Sequence, residues 1–298
     1  MVSEDKDHGI NFKKFERPNH LTNPPPNKKT MKKITIIGSG NIGLSLAKGL
    51  VKSGLYPAQS ITLTRRSLTG LAEYATQGFQ ISSDNAVAVK DAEIIVLAVL
   101  PQQVNKVLDE IKASINPQEQ LFTSVVSGVT CKNIREKLFD DLQVVRVMPN
   151  TSIAIQQSMT CIATDNASVE SLKIVKDIFD TVGMTIQIQE DLMTSATALC
   201  ACGIAFFLRS IRAASQGGVE VGFHAKDALM MAAQTAKGAA DLLLQLASHP
   251  EHEIDKVTSP KGCTIAGLNE MEHNGFSSAM IKGIKTSAKI AGELYTKE

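Results

Sequence analysis

The sequence predicts an α/β protein: a doubly wound α/β domain first, then an all-α domain. Three observations predict it. Short β-branched runs alternate with helical segments from residue 31 to about residue 190. A GxGxxG motif follows the first of those runs directly. After Asp191 the pattern changes to Ala, Leu, Met and Gly at helical spacing, with few β-branched runs. The predicted division is a disordered tail at 1–30, a dinucleotide-binding domain at 31–190 and a helical substrate and dimerisation domain at 191–298. A length of 298 residues suits about two domains.

The tail holds Pro18, Pro24, Pro25 and Pro26, mixed charges and few apolar residues, so it cannot bury enough surface to offset its ordering entropy. It lacks the apolar core of a secretory signal and carries more acids than a transit peptide. Met31 opens MKKITIIG, which reads as a natural start for a chain beginning with a strand.

Ile34 to Ile37 form the first predicted strand, bounded by glycine. Gly38-Ser39-Gly40-Asn41-Ile42-Gly43 then turns into a helix through Leu46, Ala47 and Leu50. Gly38 permits the tight turn, Gly40 admits a pyrophosphate, and Gly43 with Ala47 lets the helix lie close to the sheet. The helix N-terminus offers N–H groups and a positive dipole end to phosphate. This is the motif in its required context, so the domain is expected to be of the Rossmann type. The second strand, Ile61 to Thr64, ends in Arg65 and Arg66 and lacks the carboxylate that would hold a ribose 2′-hydroxyl. Two guanidiniums suit a 2′-phosphate, so NADP(H) is expected in preference to NAD(H). A solvated turn carrying two arginines is the plainer alternative.

The alternation continues with a strand at Phe79 to Ile81, a helix at Asn85 to Val89 and a buried strand at Ile94 to Val99. Pro101 opens a helix through Val104, Val107, Leu108 and Ile111. Strands follow at Leu121 to Val126 and Val144 to Val147, the second leading into Met148-Pro149-Asn150. Met159 to Ala163 and Met184 to Ile188 read as further strands, with a helix from Ser168 to Asp180 between them. Glu190 and Asp191 begin the helical part, where they complement a helix dipole. Helices are expected at Ala196 to Ile211, buried over most of its surface, and at Ala225 to Leu246, Ala266 to Met271 and Ala279 to Leu294. A half this apolar is expected to hide its faces in a homodimer.

Charge and cysteine content narrow the partners. Lys and Arg number 31 against 30 Asp and Glu, which argues against nucleic acid or a membrane surface as the main partner. No uninterrupted apolar run reaches the ~18 residues of a membrane span. The five cysteines form no CxxC and no zinc pattern, so the expectation is no metal, no disulfide framework and a reducing cytoplasm. Cys200 and Cys202 read as packing residues, and Cys263, at a helix start, is the better candidate for reactivity.

The remaining candidate site is Ser259-Pro260-Lys261-Gly262-Cys263-Thr264, a loop entering a helix. Its N–H groups and the Ser259 and Thr264 hydroxyls could receive a small carboxylate and touch a second polar atom. Helix capping accounts for the same hydroxyls equally well.

Here the chain resembles the pyrroline-5-carboxylate reductase family, from Met31 to near Leu294. The likeness rests on Val257 to Leu268 and on Gly38 to Gly43. It also rests on Asn85, Ala98-Val99-x-Pro101-Gln102, Ser127-Gly128 and Arg146 to Asn150. The resemblance implies NAD(P)H-dependent reduction of the imine 1-pyrroline-5-carboxylate to L-proline, the last step of proline biosynthesis. It implies that Ser39, Asn41, Ile42, Asn85, Ala98, Val99 and Pro101 help hold the cofactor. Ser259 and the loop N–H groups would hold the substrate carboxylate, with Gly262, Cys263 and Lys261 around it and Thr264 near the ring nitrogen. It further implies a homodimer or a ring of dimers. The chain departs from the family pattern at Leu100, Lys261, Cys263, Ser158 and Cys200 to Ile204. Those departures leave two alternatives open: a reductase of a related cyclic imine, and a catalytically weakened NADP-binding member.

Overall fold

The computed structural model describes residues 32–295, and the expected tail lies outside them. The described chain forms two compact units, residues 32–204 with 282–295, and residues 205–281.

The first unit is built on one eight-stranded sheet. Its strands are β1 (Ile34–Ile37), β2 (Ile61–Thr64), β3 (Gln80–Ser82), β4 (Ile94–Leu97), β5 (Leu121–Ser124), β6 (Gln143–Met148), β7 (Ser158–Ala163) and β8 (Gly183–Gln187). The order is β3-β2-β1-β4-β5-β6-β7-β8. β1 to β6 run parallel, β7 turns antiparallel to β6, and β8 follows β7 in parallel. This is the doubly wound arrangement expected, with a two-stranded extension.

Helices α1 (Asn41–Lys52), α2 (Ala72–Thr76), α3 (Asn85–Val89), α4 (Val104–Ile111), α5 (Cys131–Lys137) and α6 (Val169–Asp180) connect the strands. Central strands are apolar on both faces, so successive residues feed two cores. Ile34, Ile36, Ile94 and Val96 pack with Leu46, Leu50, Val175 and Phe179 on one side. Ile37, Ile95, Leu97 and Phe122 pack with Val104, Leu108, Ile111 and Ile134 on the other. α1 lies close: a Cβ on Gly49 would stand 2.1 Å from Val182 Cγ1.

Strand positions match the sequence reading to within two residues. α5 was not anticipated; Thr130 caps it by accepting from Asn133 N at 3.0 Å. Glu190 does not act chiefly on its own helix. Its Oε1 meets buried Arg146 on β6 at 3.2 Å and accepts from the Cys131 backbone N at 2.7 Å.

The helical part runs through α7 (Met193–Ala196), a π-helical turn at Thr197–Cys202, α8 (Gly203–Glu220), α9 (Ala225–Leu246), α10 (Pro250–Lys256), α11 (Cys263–His273) and α12 (Phe276–Gly292). In the second unit, only Ser215 and Ala228 are buried among the described residues. Phe207, Leu208, Val221, Met230 and Leu246 are exposed, which corrects the expectation of a helix buried within the chain. Glu190–Glu220 is also long and apolar enough, by length and composition, to cross a membrane. The sequence reading missed this because isolated polar residues interrupt the apolar run without ending the helix.

Candidate active site

The glycine motif sits where β1 ends and α1 begins. Gly38 has φ +97°, and a Cβ there would lie 2.4 Å from the Ala98 carbonyl oxygen, so only glycine fits beside the end of β4. A Cβ on Gly43 would lie 2.4 Å from the Gly38 oxygen. Gly40 differs: nothing lies within 4 Å of its would-be Cβ. As the N-cap of α1 it also leaves the helix start free of any capping side chain. Open backbone at a helix N-terminus fits a pyrophosphate. A groove of about 280 Å³ beside α1 is lined by Asn41, Ile42, Ser45, Lys48, Tyr74 and Thr151.

The cradle is tied to β2. Ser39 donates to the Thr64 carbonyl from its N at 3.1 Å and from its Oγ at 3.0 Å. Thr64 Oγ1 donates to Asn85 Oδ1 at 2.6 Å, and Asn85 Nδ2 donates to Glu110 Oε2 at 3.1 Å. Asn85 thus bridges β2 to α4, and Arg65 and Arg66 leave β2 exposed at that edge. The Arg65 guanidinium packs over Gly70, where a Cβ would come within 2.5 Å of Nη1. Ala98 is anchored by its N–H to the Ile37 oxygen at 2.7 Å, and exposed Leu100 precedes Pro101. The predicted cofactor residues therefore gather at the carboxyl ends of β1, β2 and β4.

The loop in the second unit is organised around Ser259. Its carbonyl accepts from Gly262 N at 2.9 Å, and a Cβ on Gly262 would lie 2.4 Å from Ser259 Oγ. Gly262 is the N-cap of α11 and, as glycine, offers no capping side chain. Lys261 is exposed and held at φ +59°. Cys263 is exposed and Thr264 half-buried on the first turn of α11.

Two features escaped the sequence reading. Asn150 N donates to Ser158 Oγ at 3.0 Å and its Nδ2 donates to the Cys200 carbonyl at 3.2 Å. Cys161 on β7 places Sγ 3.8 Å from Cys200 Sγ. The 39-residue separation of the two cysteines gives no local signal.

Residues 190–294 match the pyrroline-5-carboxylate reductase dimerisation family, and residues 33–128 match the coenzyme F420-dependent NADP oxidoreductase family. Pyrroline-5-carboxylate reductase 2 of Dictyostelium discoideum is 48% identical over 88% of this chain and 92% of its own length. The chain belongs to the pyrroline-5-carboxylate reductase family. Pyrroline-5-carboxylate reductase 1 of the same organism is 49% identical over 89% of this chain, which spans half of that relative's length. The crystal structure of Plasmodium falciparum pyrroline carboxylate reductase with NADP bound shares the fold. Its TM-score is 0.81 at 24% identity, over 89% of this chain and 98% of that one. The pyrroline-5-carboxylate reductase family thus accounts for both the doubly wound sheet and the helical part.

Proposed function

We propose that this chain reduces 1-pyrroline-5-carboxylate to L-proline with NADPH, in the cytoplasm and as a homodimer or a ring of dimers. The observation that carries this reading is the family relationship at about half identity, and Ser259, Gly262 and Thr264 stand together in the loop. A reduced nicotinamide, when bound, supplies the hydride that the imine carbon accepts. Gly38, Gly40 and Gly43 shape the cradle, and Ser39, Asn41, Ile42, Asn85, Ala98, Val99 and Pro101 line or brace it. Arg65 and Arg66 are read as the 2′-phosphate clamp, since no carboxylate follows β2 to repel it. Ser259 and the N–H groups of the loop hold the substrate carboxylate, with Lys261 adding charge and Cys263 beside it. Thr264 places its hydroxyl at the ring nitrogen, which must finish protonated. A protonated imine is already electrophilic, so these residues orient the substrate more than they activate it. We divide the chain functionally at residue 190, with 31–190 serving the dinucleotide and 191–298 serving substrate and dimerisation.

The test is steady-state oxidation of NADPH and of NADH by the purified full chain with pyrroline-5-carboxylate. Saturable turnover is expected, with kcat/KM higher for NADPH, and with Arg65→Ala plus Arg66→Ala reducing that preference at least tenfold (about 1.4 kcal/mol). NADPH binding without turnover would overturn the substrate assignment and point to Leu100, Lys261 and Cys263 as the residues that moved it.

A further inference from the structure

The five cysteines are unevenly placed. Cys131 is buried on α5 and donates to the Val144 carbonyl at 3.6 Å. Cys202 is half-buried, and Cys263 is exposed. Cys161 and Cys200 form a pair. Cys161 sits on β7, buried among Met148, Ala163, Met193 and Ala196, with Cys200 and Ala201 packed against the same cluster. Cys200 is half-buried on the π-helical turn, while Cys161 is buried.

We propose that Cys161 and Cys200 are a reversible oxidisable dithiol, in which half-buried Cys200 meets a peroxide and buried Cys161 resolves it. The Cys200 thiolate attacks one peroxide oxygen, the O–O bond breaks, Cys200 becomes a sulfenic acid, and the departing hydroxide takes up the proton the thiol released and leaves as water. The Cys161 sulfur then attacks the Cys200 sulfur, the S–O bond breaks, and a second water leaves. Two thiols lose two protons and two electrons, and the peroxide takes both. A thiol reductant reverses the step by exchange.

Geometry brings this pair within reach of a bond. The sulfurs stand 3.8 Å apart and a disulfide needs about 2.05 Å, so roughly 1.8 Å must be closed. The thiol contact from Cys161 lowers the Cys200 thiol pKa against the opposing effect of burial, which enlarges its thiolate fraction. That same contact, and then burial, push Cys161 up, as suits a resolving rather than an attacking thiol. The bond would join β7 to the turn whose Cys200 carbonyl holds the Asn150 amide.

The experiment uses the full chain, exposed to hydrogen peroxide in small molar excess, then denatured, alkylated and mapped by peptide mass. Cys161 and Cys200 should lose alkylation together, appear in one linked peptide, and return to the alkylated form after dithiothreitol. In Cys161→Ser the linked peptide should vanish and Cys200 should be trapped by dimedone as the sulfenic acid. In Cys200→Ser, Cys161 should stay alkylatable at the same dose, which guards against misreading a poorly folded first variant. Cys161 and Cys200 remaining alkylatable at a dose that oxidises Cys263 would overturn the proposal. So would a linkage from Cys200 to Cys202 or to a second chain.

Discussion

Arg146 is 5% exposed on β6, a strand position that leaves a cation inside the sheet. It is tolerated because Glu190 reaches it at 3.2 Å, and the same carboxylate oxygen satisfies the N–H of Cys131 at the start of α5. One side chain therefore compensates a buried charge and a helix terminus. Removing it is expected to strand both. Glu190→Ala should lower stability by about 3–5 kcal/mol, the cost typical of leaving one partner of a buried pair alone. A denaturant titration checks this: the midpoint should fall with an unchanged slope. A loss below about 1 kcal/mol would place the pair with surface bridges of little consequence. The sequence showed Arg146 and Glu190 but not their meeting, because they stand 44 positions apart with β7, α6 and β8 between them. The glycines were legible for the opposite reason. Gly38, Gly40 and Gly43 do their work within six residues, so the local pattern contains the geometry.

At the scale of elements, strands were read best where they are central. β1 and β4 are buried along their whole length, and an unbroken β-branched run has few other readings. α5 was missed because its apolar face is short and its start is set by Thr130 and Asn133, a cap without a neighbouring periodic run to announce it. The loop before α11 shows where an element carries a compromise. Lys261 sits at φ +59°, a backbone region that disfavours side chains by about 1–2 kcal/mol. Glycine there would relieve that cost but lose about 0.4–1 kcal/mol to its freer unfolded state. Lys261→Gly should therefore raise stability by roughly 0.5–1 kcal/mol. If the lysine charge serves the substrate carboxylate, the same change should raise KM for the imine several-fold with kcat little altered. Thermal melting and steady-state kinetics on one preparation separate the two effects. An unchanged KM would remove Lys261 from the substrate site and leave its strained backbone without a functional reason.

At the scale of the whole molecule, the sheet-based unit closes three buried apolar clusters of its own, while the second unit buries only Ser215 and Ala228 among its described residues. Apolar helices left this open do not hold together alone in water, and large exposed apolar patches mark an interface. The match of residues 190–294 to a dimerisation family supports a second copy as the partner. Met230 on α9, 64% exposed, discriminates between the possibilities. On a free surface, Met230→Asp should shift stability by no more than about 0.5 kcal/mol. In a dimer it would bury an unpaired carboxylate, so the variant should sediment as a smaller species and melt lower. The wild-type melting temperature should also rise with protein concentration, as mass action requires of a stabilising dimer. A wild-type monomer at micromolar concentration, with a melt independent of dilution, would defeat this reading. If that monomer also floated with lipid vesicles, the apolar stretch Glu190–Glu220 would have to be reread as a membrane-associated helix, because its composition permits either solvent and only a partner decides between them.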